Sequence, residues 1–289
     1  MQNPDELVHR VSNALEGNWQ FDETNFDYPS LPKYVMFGVG KVSFSLGYVQ
    51  ELNVILRFLS VLLGAGIIFL IYWITRKLGG GILASSFASL FLIANQEFSI
   101  NARFAHNDLY LAFFLVLTLY FLLLYQEKDQ KEWLYAAFFG VGLAASSKYN
   151  GGVFLLMPLI VFVIKKGTVL FAKKLESLET LFIGITLSYL GFAAGTPKAL
   201  LWMAYYFKRV IPALSHHATY GKTSESVVGF LGQWGNLKSS LGVYVYTLFF
   251  CISLFSFQKY HSMARVGKKN CLDFSFSDSC FRFAHYAFL

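Results

Sequence analysis

The chain has 289 residues, of which 55% are hydrophobic and only 14% charged, with 31 Phe and 17 Tyr. A soluble domain carries about 25% charged residues, so this composition excludes an ordinary soluble protein and indicates a surface that faces lipid. The net charge of +7 does not indicate a nucleic-acid partner, because the basic residues lie mainly in short connections between apolar runs. The three cysteines lack the spacing of a metal site or a disulfide framework.

Seven charge-free apolar windows predict membrane-spanning helices, since a helix needs about 20 apolar residues to cross a bilayer. The stretch 33–50, which precedes them, contains Lys41 and several Gly and Ser, and is predicted as a helix on the membrane interface. Lys148 separates two short windows, which can span only if flanking residues snorkel or the bilayer thins. In chain order, the windows are 58–75, 78–96, 109–126, 133–147, 149–164, 180–197 and 239–258. The predicted fold is therefore an all-α polytopic membrane domain over 1–260, followed by an unpatterned tail over 261–289.

The distribution of Lys and Arg predicts the orientation, since short cytoplasmic connections are enriched in both residues. The connections 76–79, 127–132 and 165–179 and the segment after 258 are rich in them, whereas the two short connections on the other side contain only Arg103 and Lys148. The N-terminal segment, the loop 97–108, the break at Lys148 and the loop 198–238 then share the non-cytoplasmic side. No charged residue lies inside a window, which disfavours an ion-coupled transporter.

Polar residues on the predicted non-cytoplasmic side are candidates for catalysis. Asp5 and Glu6 can supply a general base and a neighbouring carboxylate, or they can simply begin a helix, where acidic residues are favoured by the helix dipole. Asp108 can cap the helix that follows it, and this role does not exclude a place in the site. Arg103 can bind a phosphate through its planar guanidinium.

Three further segments have both a structural and a functional interpretation. Lys148 can snorkel to the phosphate of a membrane lipid or hold the phosphate of a lipid-linked substrate. The two prolines of 26–33 predict a rigid connector. His216 and His217 can bind a metal, although neighbouring residues on a helix point apart and a solvated pair is the simpler interpretation.

The order of these segments is more specific than any one of them. It resembles the glycosyltransferases of the protein O-mannosyltransferase and aminoarabinose transferase type, which use lipid-phosphate sugars and share the polytopic GT-C fold. The resemblance covers about residues 5–260. Its motifs are Asp5-Glu6, Tyr-Pro-Ser-Leu-Pro-Lys ending at Lys33, Arg57 to Gly64, Ala102 to Leu109, Ser147 to Gly151 and Gly195-Thr-Pro197.

The resemblance implies a donor sugar on a polyprenyl phosphate, an acceptor hydroxyl on a protein, lipid or glycan, and inversion at the anomeric carbon. It implies that Asp5 is the general base beside Glu6, and that Asp108 is a second acidic position near the same cavity. It further implies basic positions facing the donor phosphate and, more weakly, a histidine linked to a divalent metal; no other cofactor is expected. The implied substrate-binding residues are Arg57, Arg103, His106, Lys148 and Tyr149, and the implied metal positions are His216 and His217.

The sequence also departs from the family pattern. Only four residues precede Asp5, whereas family members have a membrane helix there, and members have more spans after the seventh window. These departures predict a fragment of a longer enzyme. A multi-pass protein of the plasma membrane, with its site on the non-cytoplasmic face, is the expected form. A transporter or flippase of a lipid-linked substrate and an inactive membrane fragment are the alternatives.

Overall fold

The computed structural model describes residues 7–17, 28–48, 51–166 and 174–219, and the described residues form helices and connections without a strand. The chain divides into two compact units, Met1–Tyr220 and Gly221–Leu289, and every described residue belongs to the first. The window 239–258 and the tail 261–289 lie outside the described residues. The helices are α1 (Val8–Leu15), α2 (Leu31–Ser45), α3 (Leu52–Lys77), α4 (Ile82–Ala94), α5 (Gln96–Asn101), α6 (Asn107–Lys128), α7 (Lys131–Ser147), the 3-10 helix η1 (Tyr149–Leu155), α8 (Leu156–Lys166), α9 (Lys174–Gly195), α10 (Lys198–Leu201) and α11 (Met203–Thr219).

Four helical segments in the described part are long and apolar enough to cross a membrane: α3, α6, η1 with α8, and the part of α9 from Leu175 to Gly195. The first three each contain one of the predicted windows, and α9 covers the window 180–197 except for its last two residues. Helix α7 covers the window 133–147 with 17 residues. The window 78–96 is shortened to the 13 residues of α4, because Gly79 to Gly81 precede it and Asn95 ends it. The Asn95 side chain instead accepts the Phe98 N–H at 2.8 Å and caps α5.

Helix α7 packs between α6 and α9 through a close contact of small residues. A Cβ atom on Gly142 would lie 2.1 Å from the Ser188 carbonyl oxygen, and one on Gly191 would lie 2.4 Å from the Phe139 carbonyl oxygen. Only glycine therefore fits at this crossing. In lipid, where apolar burial does not drive helix association, such close backbone packing is a main source of stability.

Helix α2 lies across one end of the bundle. Its first residue, Leu31, is next to Gly195 at the end of α9, and its Gly40 is next to Leu52 at the start of α3. Helix α2 thus joins the ends of two different spans and does not run along either. This placement agrees with the interfacial helix predicted for 33–50.

Three ion pairs gather at the opposite end of the bundle, which we call the basic end. They join Lys77 to Glu127 at 2.5 Å, Lys131 to Glu176 at 3.0 Å and Lys165 to Asp129 at 2.9 Å. All three lysines lie in the connections or helix ends that the sequence predicts to be cytoplasmic. The fold therefore separates a lysine-rich end from an end that contains the candidate residues.

Candidate active site

An ion pair between Asp108 and Lys148 is the centre of the candidate site. The Lys148 ammonium lies 2.5 Å from the Asp108 carboxylate, and the two side chains are 31% and 52% exposed. Asp108 stands in the first turn of α6, where a helix favours a negative charge. Lys148 is an extended residue between α7 and η1. Chain reversals thus bring two predicted residues, 40 positions apart, into contact on an accessible surface.

His106 caps α6, a role that the sequence assigns to Asp108. Its Nδ1 accepts the Asp108 backbone N–H at 3.1 Å, and its Nε2 lies 3.3 Å from the Asn101 side-chain oxygen. A nitrogen that accepts an N–H carries no proton, so the hydrogen of the ring is on Nε2 and is donated to Asn101. The capping prediction for Asp108 is therefore wrong. Its carboxylate is left for Lys148, because the histidine ring already satisfies the backbone at this position.

The two predicted arginines lie on either side of the same segment. The Arg57 guanidinium, near the start of α3, lies 5.8 Å from the centre of the Phe104 ring, a distance typical of a cation–π contact. Arg103 is exposed. Both arginines are thus within or beside the loop that leads to His106.

Tyr149 is held by a residue that the sequence analysis missed. The Tyr206 hydroxyl of α11 donates to the Tyr149 hydroxyl at 2.9 Å. Tyr206 and Val210 are buried against Tyr149 and Phe192. Tyr206 and Val210 are four residues apart, which places them on one face of a helix. This spacing could have indicated a packed helix in a stretch that was predicted only as a loop.

A buried cluster of hydroxyl groups fixes the residues just before Lys148. Ser146 and Thr196 share a hydrogen bond of 2.7 Å, and Thr196 accepts the Ser30 backbone N–H at 3.3 Å. A Cβ atom on Gly195 would lie 2.3 Å from the Ser146 hydroxyl. Two motifs of the resemblance, Gly195-Thr-Pro197 and the segment that ends at Lys33, thus meet at the end of α7.

The remaining predicted residues are not described by the structure. Asp5 and Glu6 lie outside the described residues, and so do the side chains of His216 and His217, whose backbone belongs to α11. Leu7, which follows Glu6, donates its N–H to the Ala105 carbonyl at 2.9 Å. Among the side chains that are described, no three of His, Cys, Asp or Glu form a group that could hold a metal ion. The metal prediction at His216 and His217 stays a prediction.

We call the end of the bundle that contains His106, Asp108, Lys148 and Tyr149 the site end. A cation that is held by one carboxylate and still a third exposed can be approached by an anion such as a phosphate. On either side of Lys148 in the chain, Ser146 is hydrogen-bonded to Thr196 and Tyr149 to Tyr206. The chemistry that this arrangement favours is the binding and orientation of a phosphorylated ligand at the edge of a membrane bundle.

A family model described as dolichyl-phosphate-mannose-protein mannosyltransferase matches residues 42–209. The chain belongs to this family. The mannosyltransferase match includes Arg57, Arg103, His106, Lys148 and Tyr149 together with Asp108, and it ends before His216. It confirms the predicted GT-C glycosyltransferase resemblance and the integral membrane class. No curated protein and no solved structure gives a significant match to the chain.

Proposed function

We propose that the chain transfers mannose from a polyprenyl-phosphate donor, dolichyl-phosphate mannose, to an acceptor hydroxyl on a protein. The observation that carries the proposal is the Asp108–Lys148 pair at the site end, inside the region that matches the mannosyltransferase family. Transfer takes place on the non-cytoplasmic face. From the sequence, we expect the membrane to be the plasma membrane.

The charges of the two ends support this orientation. The basic end has Lys77, Lys131 and Lys165 among its helix ends. Cytoplasmic connections are enriched in Lys and Arg, which supports a cytoplasmic basic end and a site end on the other side. A lipid-linked donor in that leaflet would present its phosphate at the level of the site end.

Lys148 is the proposed ligand of the donor phosphate. The leaving group is a lipid phosphate, and the charge that develops on it needs a cation in place before the reaction. Asp108 keeps the Lys148 ammonium at one position, and His106 fixes Asp108 through the cap of α6. Arg57 and Arg103 are the proposed second contacts to the phosphate, and Tyr149 forms the aromatic wall beside Lys148.

Asp5 is the proposed general base, with Glu6 as its neighbouring carboxylate. The acceptor oxygen forms a bond to the anomeric carbon as its proton passes to Asp5. The bond from that carbon to the phosphate oxygen breaks, and its electron pair leaves with the lipid phosphate. This single displacement inverts the anomeric carbon.

The position of Leu7 supports the role of Asp5. Leu7 is buried and bonded to Ala105, the residue before His106. The described chain thus begins beside the segment that leads to Asp108, and this supports the proposal that Asp5 acts there.

The experiment uses the full chain in liposomes with dolichyl-phosphate [3H]mannose and a serine-containing peptide. We expect Asp5→Asn to lower kcat by about 10²–10⁴-fold, the usual contribution of a general base, with an unchanged affinity for the donor. Asp129→Asn, the same change at the basic end, is the matched control and should retain activity. Full transfer by Asp5→Asn would remove Asp5 from the role of base. No transfer by an unmodified chain that still binds the donor would contradict the proposed activity.

A further inference from the structure

Helix α11 has two different apolar faces, and only one of them packs against the bundle. Tyr206 and Val210 are buried at 1% and 4% exposure. Met203, Phe207 and Ile211, at spacings of four residues, form a second row beside them, which we call the α11 stripe. The side chains of the stripe are 46%, 41% and 63% exposed. A helix that exposes such a row of large side chains beside its packed face is suited to an apolar surface outside the protein.

Basic and aromatic residues lie just before this stripe in the chain and on the other exposed side of α11. The Arg209 guanidinium lies 5.5 Å from the centre of the Tyr205 ring, and the Lys198 ammonium lies 5.7 Å from the Trp202 ring. Lys208 is exposed on the turn that follows the stripe residue Phe207. Trp and Tyr are enriched where a membrane meets water, and basic residues are favoured on the polar face of helices that lie there.

The connection to α9 fixes the depth of this helix. Helix α9 ends at Gly195, beside Ser146 and Leu31 at the site end, and α10 and α11 follow after only Thr196 and Pro197. Helix α11 therefore starts where a membrane span emerges from lipid. Tyr206 keeps it there through its bond to Tyr149.

We propose that α11 lies in the membrane interface, with the α11 stripe inserted among lipid chains and with Lys208 and Arg209 bound to the phosphates of anionic phospholipids. Charge complementarity selects lipid over a protein partner, because the helix exposes the apolar row on one side and cations on the other, the pattern of a helix that lies between lipid chains and anionic headgroups. This surface is distinct from the donor-binding role of Lys148 and does not depend on it.

Spin labelling of the full chain in phosphatidylcholine nanodiscs containing phosphatidylserine tests the insertion. The three natural cysteines are replaced by serine, and a nitroxide is attached at Phe207→Cys or at Tyr205→Cys. Tyr205, on the polar side of the same helix, is the matched position. We expect the label at 207 to collide more with oxygen and less with a water-soluble nickel chelate than the label at 205. Equal accessibility at the two positions would overturn the insertion.

Native mass spectrometry of the same reconstituted chain tests the headgroup contact. A basic residue near an anionic surface contributes about 1 kcal/mol, so the double variant Lys208→Gln, Arg209→Gln should weaken retention of phosphatidylserine roughly 30-fold at most. The variant Lys208→Arg, Arg209→Lys keeps both charges and should retain the lipid. Equal retention by the neutral and the charge-preserving variants would overturn the proposed site.

Discussion

The two ends of the helix bundle use the same chemical group in different ways. At the basic end, Lys165 donates to the Tyr125 and Gln126 carbonyl groups at 2.5 and 3.2 Å and also pairs with Asp129. At the site end, Lys148 pairs with the Asp108 carboxylate among the residues that the structure describes. Lys165 is therefore bound to two carbonyl groups in the last turn of α6, of which the Tyr125 carbonyl also accepts the Asp129 N–H, whereas Lys148 holds its charge where a ligand can reach it.

The difference shows how a lysine can be assigned to structure or to chemistry. Asp129 has a left-handed backbone, with φ of 55°, and closes α6 together with Lys165. Asp108 begins the same helix, but His106 already caps it. The Asp108–Lys148 pair does not cap its helix, whereas the Asp129–Lys165 pair completes the end of α6. The first pair is therefore more available to a substrate.

The largest effect expected from comparing the two ends is a difference in mannose transfer between two variants, in which Lys148 or Lys165 is replaced by alanine. Lys148→Ala should lower mannose transfer by about 10²-fold or more, the scale for loss of a group that stabilises developing charge, with little change in thermal stability. Lys165→Ala should leave transfer nearly intact. Both variants are measured for transfer and for unfolding in the same detergent, and equal losses of transfer would remove the distinction between the ends.

The same Lys165→Ala variant should destabilise the bundle by about 1–2 kcal/mol. It removes a charged donor from two carbonyl groups, and such hydrogen bonds contribute about 1.5–3 kcal/mol before solvent exposure reduces them. Denaturant titration followed by circular dichroism gives the free energy of unfolding. Lys166→Ala, one residue further along the same helix, is the control and should stay near the unmodified value.

Removal of the α6 cap is expected to have a smaller effect. His106→Ala should cost about 1 kcal/mol of stability, the usual cost of a lost N-cap, and should raise the donor KM because Asp108 is no longer fixed. His106→Asn can accept the same N–H and should restore most of the stability. If Asn and Ala behave alike, the ring contributes something other than the cap.

The smallest expected effect is a pH dependence at the basic end. The hydrogen bond from Lys165 holds the pKa of the Asp129 carboxyl below its ordinary value. A group with a lowered pKa in the folded state contributes stability above the unfolded pKa of about 4, and this contribution is lost as the pH falls through the folded pKa. Asp129→Asn should flatten this part of the curve of stability against pH. If stability falls at low pH in this variant as it does in the unmodified chain, other carboxylates cause that fall.

The apolar windows predicted most of the helices because a span must be long, apolar and uncharged. Helices α3 and α6 contain their windows, α9 ends two residues before the end of its window, and α7 extends its window by only two residues. The windows could not show that 149–155 forms a 3-10 helix. In this 3-10 helix Gly151 packs closely on α7, where a Cβ atom would lie 2.6 Å from the Ala144 carbonyl.

The sequence named candidate site residues but did not show which of them lie in contact. The sequence singled out Asp108 and Lys148 separately, but a spacing of 40 residues carries no information about an ion pair. Only the position of the imidazole ring shows that His106, and not Asp108, caps α6. Tyr206 lay in a long predicted loop, and nothing local connects it to Tyr149.

The glycine crossing of α7 and α9 has a consequence for how the bundle adapts to its bilayer. These two helices touch backbone to backbone at Gly142 and Gly191, and they are joined at both ends by Lys131–Glu176 and Ser146–Thr196. Helices usually tilt to match membranes of different thickness. Because α7 and α9 are in contact at their crossing and at both ends, they must tilt as one body. Lys148 and Thr196 therefore keep their spacing in thin and thick membranes alike.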